Sequence, residues 1–243
     1  MSICMGICTL LFKTLCLPLQ LMELVGLCGF YKRVFPFLMF KISANYNKKM
    51  HEKKKELFGN LSEFASSDAG PLRLLEIGCG TGANFQFYPR GCRVICTDPN
   101  PHFERFLHKS MASNSHLRME QFVVAAGEDL RSVGSGSVDA VVCTLVLCSV
   151  RSTHRVIQEA YRVLRPGGAF FFLEHVLADP SSWTYFFQHV LQPLWRYFGD
   201  GCELTRQTWK DLEAAGFSDL KLRHIEAPLS PLIKPHVMGY AVK

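Results

Sequence analysis

A chain of 243 residues with 48% apolar and 20% charged side chains suits one α/β domain with a sizeable core plus an appendage; low complexity and internal repeats are absent. The formal net charge of +6 is uneven: nine bases stand against two acids up to residue 55, and the remainder carries −1. A nucleic-acid enzyme more often carries its positive stripe on the domain that holds the active site, so nucleic acid is an unlikely partner. Ten scattered cysteines form neither a disulfide framework nor paired metal-ligand spacings, so reduced thiols and no metal are expected.

Residues 1–31 carry only two charges, Lys13 and Glu23, and read as a hydrophobic membrane anchor. A spanning helix needs about 20 apolar residues, and this stretch supplies them. It lacks a basic leader region and a small-x-small cleavage site, so it is expected to be retained. Thr9, Lys13, Cys16, Gln20 and Glu23 fall along one side of a helix, which Pro18 should kink or break. Two membrane geometries follow. A single pass would leave Lys32, Arg33 and Lys41 on the cytosolic side. A monotopic segment would lie in one leaflet with Lys13 and Glu23 at the headgroups, and it is favoured because a charge near the bilayer centre costs at least ~2.5 kcal/mol. The alternative without a membrane is a hydrophobic helix packed on the domain. Cys4, Cys8, Cys16 and Cys28 are acylation candidates or small packing residues.

Residues 32–71 form a basic juxtamembrane segment and lead-in helix. Phe35-Pro36-Phe37-Leu38-Met39-Phe40 is a second apolar patch suited to the interface. Lys48, Lys49, Lys53, Lys54 and Lys55 either attract anionic lipid, at about 1 kcal/mol each, or form a solvated helix face. Met50, Leu57, Leu61 and Phe64 recur at helical spacing within 44–66, and a break follows at 66–71.

From residue 72 strands alternate with helices: strands at 72–77, 92–97, 119–124, 138–144 and 169–174, helices at 101–113 and 152–164. That alternation predicts a doubly wound parallel sheet. A helix from Trp209 to Ala215 and strands at 219–226 and 236–242 close the chain. The segment Leu74-Leu75-Glu76-Ile77-Gly78-Cys79-Gly80-Thr81-Gly82 reads as a buried strand, a tight turn and the start of a helix whose free N–H groups face a ligand. The glycines alone leave a dinucleotide site open, since Asp98 stands twenty residues after Gly78 where a ribose-binding acid is expected. Glu76, the third glycine Gly82 and Arg165-Pro166-Gly167-Gly168 tilt the reading elsewhere.

Together these residues resemble the class I methyltransferases that use S-adenosyl-L-methionine. The resemblance covers residues 72–243 and implies a seven-stranded Rossmann-like sheet with the last strand antiparallel. It implies cofactor contacts at Glu76, Gly78, Gly80 and Gly82, ribose binding by Asp98, and adenine contacts at Gly127 and Glu128; Thr144 and Leu145 touch the cofactor by position. Members often carry an acid where this chain has Ala126. Further matches at Asn84-Phe85, Tyr88-Pro89, Pro99-Asn100-Pro101, Cys143 to Val150 and Glu174-His175-Val176 make the chain similar to the membrane-anchored alkyl-thiol methyltransferases. That resemblance runs nearly end to end and implies small or hydrophobic thiol acceptors. It also implies the endoplasmic reticulum membrane and lipid droplets, with the catalytic domain facing the cytosol.

Methyl transfer from a sulfonium is an in-line displacement governed mainly by alignment and exclusion of water. An alkyl thiol has a pKa of about 8.5, so a base helps without being obligatory. His175, just past a central strand, is the candidate base or a structural histidine; Cys148 is a candidate pocket thiol or a packing residue. Asp200, Thr205 and Arg206 are expected to cap and form salt bridges, and His102, His108, His116 and His189 show no metal pattern. The aromatic stretch within 176–204 is expected to be a lid over the acceptor or extra core. Competing functions are methyl transfer to a lipid, a quinol-like ring or RNA, a lipid-droplet scaffold with a vestigial fold, and a nicotinamide dehydrogenase.

Overall fold

The computed structural model of the chain describes residues 2–24, 28–66 and 70–243; the side chains of residues 2, 3 and 22–28, Glu23 and Cys28 among them, lie outside that description. Its strands are β1 (Arg73–Ile77), β2 (Arg93–Asp98), β3 (Arg118–Val124), β4 (Val138–Thr144), β5 (Leu164–His175), β6 (Asp219–Glu226) and β7 (Pro235–Val242). They form one sheet in the order β3-β2-β1-β4-β5-β7-β6. The first five are parallel, and β7 runs antiparallel to both neighbours. The helices are α1 (Ser2–Leu15), α2 (Leu17–Leu24), α3 (Cys28–Phe58), α4 (Glu104–Ser113), α5 (Thr153–Val163), α6 (Trp183–Phe198) and α7 (Thr208–Glu213).

Alternate residues of the central strands feed two separate cores, as the pleat requires. Leu74, Val94, Val142 and Phe171 pack with Met50, Leu57 and Phe58 of α3. Leu75, Ile95, Val141 and Phe170 pack with Val156, Ile157 and Ala160 of α5.

The expected helix after the glycine loop is absent: a single 3-10 turn, Phe85–Phe87, follows instead. Only ten residues separate Gly82 from β2, and Pro89 and Gly91 interrupt them. The sheet face that such a helix would cover is filled by α3, whose Met50, Leu57 and Phe58 pack with Phe85 and Tyr88. The lead-in helix is accordingly longer than its expected start at residue 44. It begins at Cys28, passes through position 31–32 without a break and ends at Phe58. Pro36 sits inside it, and a proline cannot bond the carbonyl four residues back. That carbonyl, on Lys32, is taken up by Asn100 Nδ2 at 2.9 Å, which ties α3 to the loop after β2. β5 also starts earlier than expected. Its register steps from Val138↔Leu164 to Ala140↔Ala169, so Arg165-Pro166-Gly167-Gly168 forms a bulge.

At the N-terminus the chain breaks at Cys16, two residues before Pro18. α1 lies along α6. The polar stripe expected to face outward divides: Cys16 is buried and Thr9 Oγ1 bonds Met5 O at 2.8 Å while approaching His189 O at 3.4 Å, whereas Lys13 and Gln20 are exposed. His189 is the residue whose carbonyl Pro193 leaves without a helical donor. The aromatic helix α6 is half-buried along most of its length rather than a core element. Gln188 anchors it, accepting from Ala178 N at 2.8 Å and donating to Val176 O at 3.1 Å and Leu232 O at 2.9 Å. Replacing a buried amide that serves three backbone groups strands its partners. Gln188→Leu is therefore expected to cost about 2–3 kcal/mol in denaturant unfolding despite its similar volume; a loss within error would show that these bonds do not hold α6.

Candidate active site

The winding of the sheet reverses between β1 and β4, and in open α/β sheets ligands bind outside the carboxyl ends of the strands at such a switch point. The loop leaving β1 crosses this place with Gly78, Gly80 and Gly82 all at positive φ (+62°, +50° and +72°). At Gly82 a Cβ would also press on the Phe85 ring at 2.7 Å, so only glycine fits. Asp98, at the end of β2, is buried; it accepts from Gly80 N at 3.0 Å and from Asn100 N at 2.9 Å. Burial raises its pKa to about 6 against these two N–H groups, with the charge of Asp200 adding to the rise.

Glu76 points to the α3 side and is held there by Asn84 Nδ2 at 2.8 Å. The same Asn84 amide donates to Thr144 Oγ1 at 3.0 Å, joining the ends of β1 and β4. Its carbonyl accepts from Lys54 Nζ at 2.8 Å, and Asn47 Oδ1 accepts from the same ammonium at 2.7 Å. Lys54 is buried, so the lysine run is not uniformly a solvated or lipid-facing stripe: Lys48, Lys49 and Lys55 are exposed, while Lys54 reaches into the site. Burial lowers the Lys54 pKa to about 8, opposed by Glu76. Burial raises Glu76 to about 7, opposed by Tyr88, Asn84 and Lys54. Glu76 Oε2 and the Tyr88 hydroxyl are both buried without a hydrogen-bond partner. Asn47 also donates to Ala83 O, and Ser43 lies 3.3 Å from Thr81. α3 thus closes over the glycine loop. A surface hollow of about 390 Å³ lined by His51, Phe58 and Phe87 contains none of these crevice residues.

The ends of β4 and β5 carry the second cluster. Leu145 turns the chain with a left-handed φ of +57°, and Val146 N then donates to the buried Glu174 carboxylate at 3.0 Å. Next to Glu174, His175 Nε2 lies 2.9 Å from Cys202 Sγ. Trp195 Nε1 of α6 donates to the same sulfur at 3.2 Å, and Cys148 Sγ stands 3.6 Å away. Arg206 braces this corner by donating to the carbonyls of Leu147 and Val150, both at 2.7 Å, and pairs with Glu203. The Cys148 thiol, then the imidazole and indole N–H groups, depress Cys202 to about 4 against its burial. Burial alone would lower His175, yet its bond to Cys202 and the charge of Glu174 leave it raised.

The structure therefore gathers Glu76, Gly78, Gly80, Gly82, Asp98 and Thr144 around one crevice and brings His175 together with Cys148. Gly127 packs tightly, a Cβ there meeting Ile77 at 2.9 Å. Glu128 is engaged in accepting from Arg151 N at 2.7 Å and Ser152 N at 3.3 Å before α5. Three participants escape a reading of the sequence. Lys54 is one of five similar lysines, Asn84 follows the glycines without a charge to mark it, and Cys202 lies 27 residues from its histidine.

A family model described as a methyltransferase domain matches residues 75–172. Human thiol S-methyltransferase TMT1A is 61% identical over 213 residues, 87% of either chain. Human thiol S-methyltransferase TMT1B is 54% identical over the full length of both. The chain belongs to the thiol S-methyltransferase family. The fold agrees: a SAM-dependent methyltransferase from Aquifex aeolicus, 13% identical, superposes with a TM-score of 0.56 over 85% of this chain and 97% of that one.

As in such methyltransferases, the cofactor is S-adenosylmethionine, and the residues present fit it. An ionised carboxylate offers about four acceptor positions, so Asp98 keeps lone pairs for two hydroxyls. Glu76 has an unpaired buried oxygen suited to a cation. These carboxylates are costly when the site is empty. Glu76 and Asp98 have folded-state pKa values (about 7 and about 6) above their ordinary 4.5 and 3.8, so the folded state binds protons more tightly. Their contribution is complete below the ordinary values and lost as pH rises through 6 and 7. The ligand-free protein should lose stability between pH 5 and 7 in denaturant titrations, and Glu76→Gln should flatten that slope. An unchanged slope in Glu76→Gln would place the titration elsewhere.

Proposed function

We propose that this chain transfers the methyl group of S-adenosylmethionine to small or hydrophobic alkyl thiols, giving methyl thioethers, at a membrane surface. The observation that carries the donor site is the buried Asp98 carboxylate, aimed by Gly80 and Asn100 N–H into the switch-point crevice. The thiol acceptor rests on the family, whose human relatives bear that activity in their names.

The cofactor supplies a methyl group on a positively charged sulfur with a neutral leaving group. The chain's own residues bind, align and shield. Asp98 accepts the ribose hydroxyls, Glu76 faces the ammonium end, and Gly78, Gly80 and Gly82 let backbone approach closely. Gly127 and Glu128 lie beside the base. Thr144 and Leu145 shape the approach from β4, and α6 keeps water from the acceptor side. Alignment of nucleophile, carbon and leaving sulfur supplies most of the rate. A few percent of an ordinary thiol is already ionised near neutral pH. His175 has Nε2 engaged with Cys202, which favours a positioning role for it over that of a free base; Cys148 belongs to the same corner. Asp98→Ala is expected to abolish both cofactor binding in calorimetry and thioether formation from a mixed thiol panel. Labelled cofactor should leave lipid and RNA pools unlabelled. Intact activity in Asp98→Ala would remove the ribose role, and label in RNA or lipid would replace the acceptor.

The membrane part of the proposal is monotopic. Among the described residues no helix is long and apolar enough to cross a membrane. Leu10, Leu11 and Leu15 of α1 are 59–71% exposed, and Trp183 and Phe198 of the adjoining α6 are 73% and 65% exposed. Tyr31 of α3 donates to Phe198 O at 2.7 Å, bringing the exposed Phe30 to the same end. An apolar face of this extent suits a lipid interface, with the exposed lysines of α3 near anionic headgroups. The proposal extends to the endoplasmic reticulum and lipid droplets, with the catalytic domain on the cytosolic side. Leu10→Glu with Leu11→Glu should release the protein from phosphatidylcholine–phosphatidylserine vesicles in co-sedimentation; undiminished binding would move the lipid contact off α1.

A further inference from the structure

The sulfur corner at the ends of β4 and β5 contains more chemistry than methyl transfer requires. Three polar groups surround one sulfur: Trp195 Nε1 donates to Cys202 Sγ at 3.2 Å, His175 Nε2 lies 2.9 Å from it and Cys148 Sγ 3.6 Å. An indole N–H and an imidazole nitrogen on one sulfur suit a thiolate better than a neutral thiol, which is a weak acceptor. The imidazole supplies the counter-charge, the arrangement that activates thiols for attack. The two cysteines lie on the turns that follow β4 and α6, and these turns are tied directly, Glu203 N donating to Cys148 O at 2.9 Å. A disulfide bond is about 2.05 Å long, so its formation needs the sulfurs to close by about 1.5 Å.

Cys148, His175 and Cys202 are also the one cluster of metal-ligand type found among the described residues. The geometry favours the hydrogen-bonded ion pair over a metal. A tetrahedral zinc with bonds of about 2.0 and 2.3 Å would hold nitrogen and sulfur about 3.5 Å apart, and here they are 2.9 Å apart.

We propose that Cys202 and Cys148 form a redox-active dithiol that exchanges with small aliphatic disulfides, Cys202 being the attacking sulfur and Cys148 the resolving one. In the first step the Cys202 sulfur bonds to one sulfur of RSSR, the S–S bond of the reagent breaks and RS⁻ leaves. In the second, Cys148 attacks the Cys202 mixed disulfide, forming Cys148–S–S–Cys202 and expelling a second RS⁻. The protons come from the Cys148 thiol and the His175 imidazolium, so two RSH are released while the protein loses two electrons to the reagent. The class of reagent rests on the thiol reading above, because such a disulfide is the oxidised dimer of the proposed acceptor. The exchange itself requires no methyl donor, so it is assayed without one.

The full chain in detergent micelles, reduced and freed of reductant, is treated with a slight excess of 2-hydroxyethyl disulfide in the absence of cofactor, then mapped by peptide mass spectrometry. The expected wild-type product is a linked Cys148–Cys202 peptide with two 2-mercaptoethanol molecules released per chain. Cys148→Ser should stop at a mixed disulfide on Cys202, with one released. Cys202→Ser should leave Cys148 unmodified, and His175→Gln should slow the linkage about tenfold or more. Wild-type adducts on exposed Cys4 without a Cys148–Cys202 link would overturn the proposal, a readout independent of how any variant folds. So would one equivalent of zinc in the purified protein that disappears in Cys202→Ser. Failure of methyl transfer would not change any of these results.

Discussion

A carboxylate removed from water must be given donors, and the site is organised around two that have been removed. Asp98 is held by the amides of Gly80 and Asn100. Glu76 is held by Asn84, which is itself held by Lys54. Both carboxylates sit where the sheet winding reverses, so the open ends of β1, β2 and β4 meet in one crevice. Removing the partner of a buried charge costs far more than the pair contributes. The glycine loop, the loop after β2 and the buried end of α3 are therefore mutually dependent through these bonds.

That dependence explains why α3 is so long. No helix follows β1, so the sheet needs cover from elsewhere, and a helix that begins beside the hydrophobic N-terminus supplies it. Its proline would leave a carbonyl stranded, but Asn100 takes that carbonyl, two residues from the carboxylate it helps to hold. The helix that buries the core thereby also closes the crevice. A segment that looks like a link between membrane and enzyme is structurally part of the enzyme.

Sequence reading is strong where periodicity and glycine geometry dominate. The parallel winding follows from the alternation of apolar runs and the antiparallel last strand from the resemblance, and the three left-handed glycines announce the loop because glycine adopts those angles most readily. It fails where a residue's role is set by tertiary contact. Lys54 shares its composition and surroundings with Lys53 and Lys55, and only helical phase turns it inward onto Asn84. Cys202 has no neighbour in sequence that marks it; its partners come from β5, α6 and the turn after β4. The helix expected after Gly82 fails for a local reason, the short run ending in Pro89 and Gly91. The polar stripe of the N-terminal segment looks like a headgroup face in isolation, but Thr9 reaches a carbonyl of α6 and Cys16 is buried.

The decisive measurement is a crystal structure of the chain with S-adenosylhomocysteine bound. Both ribose hydroxyls should lie within hydrogen-bond distance of the Asp98 carboxylate, the amino end should sit over the glycine loop toward Glu76, and Lys54 of α3 should remain bonded to Asn84. A cofactor seated elsewhere, or an Asp98 carboxylate turned away from the ribose, would contradict the assignment of this crevice as the methyl-donor site.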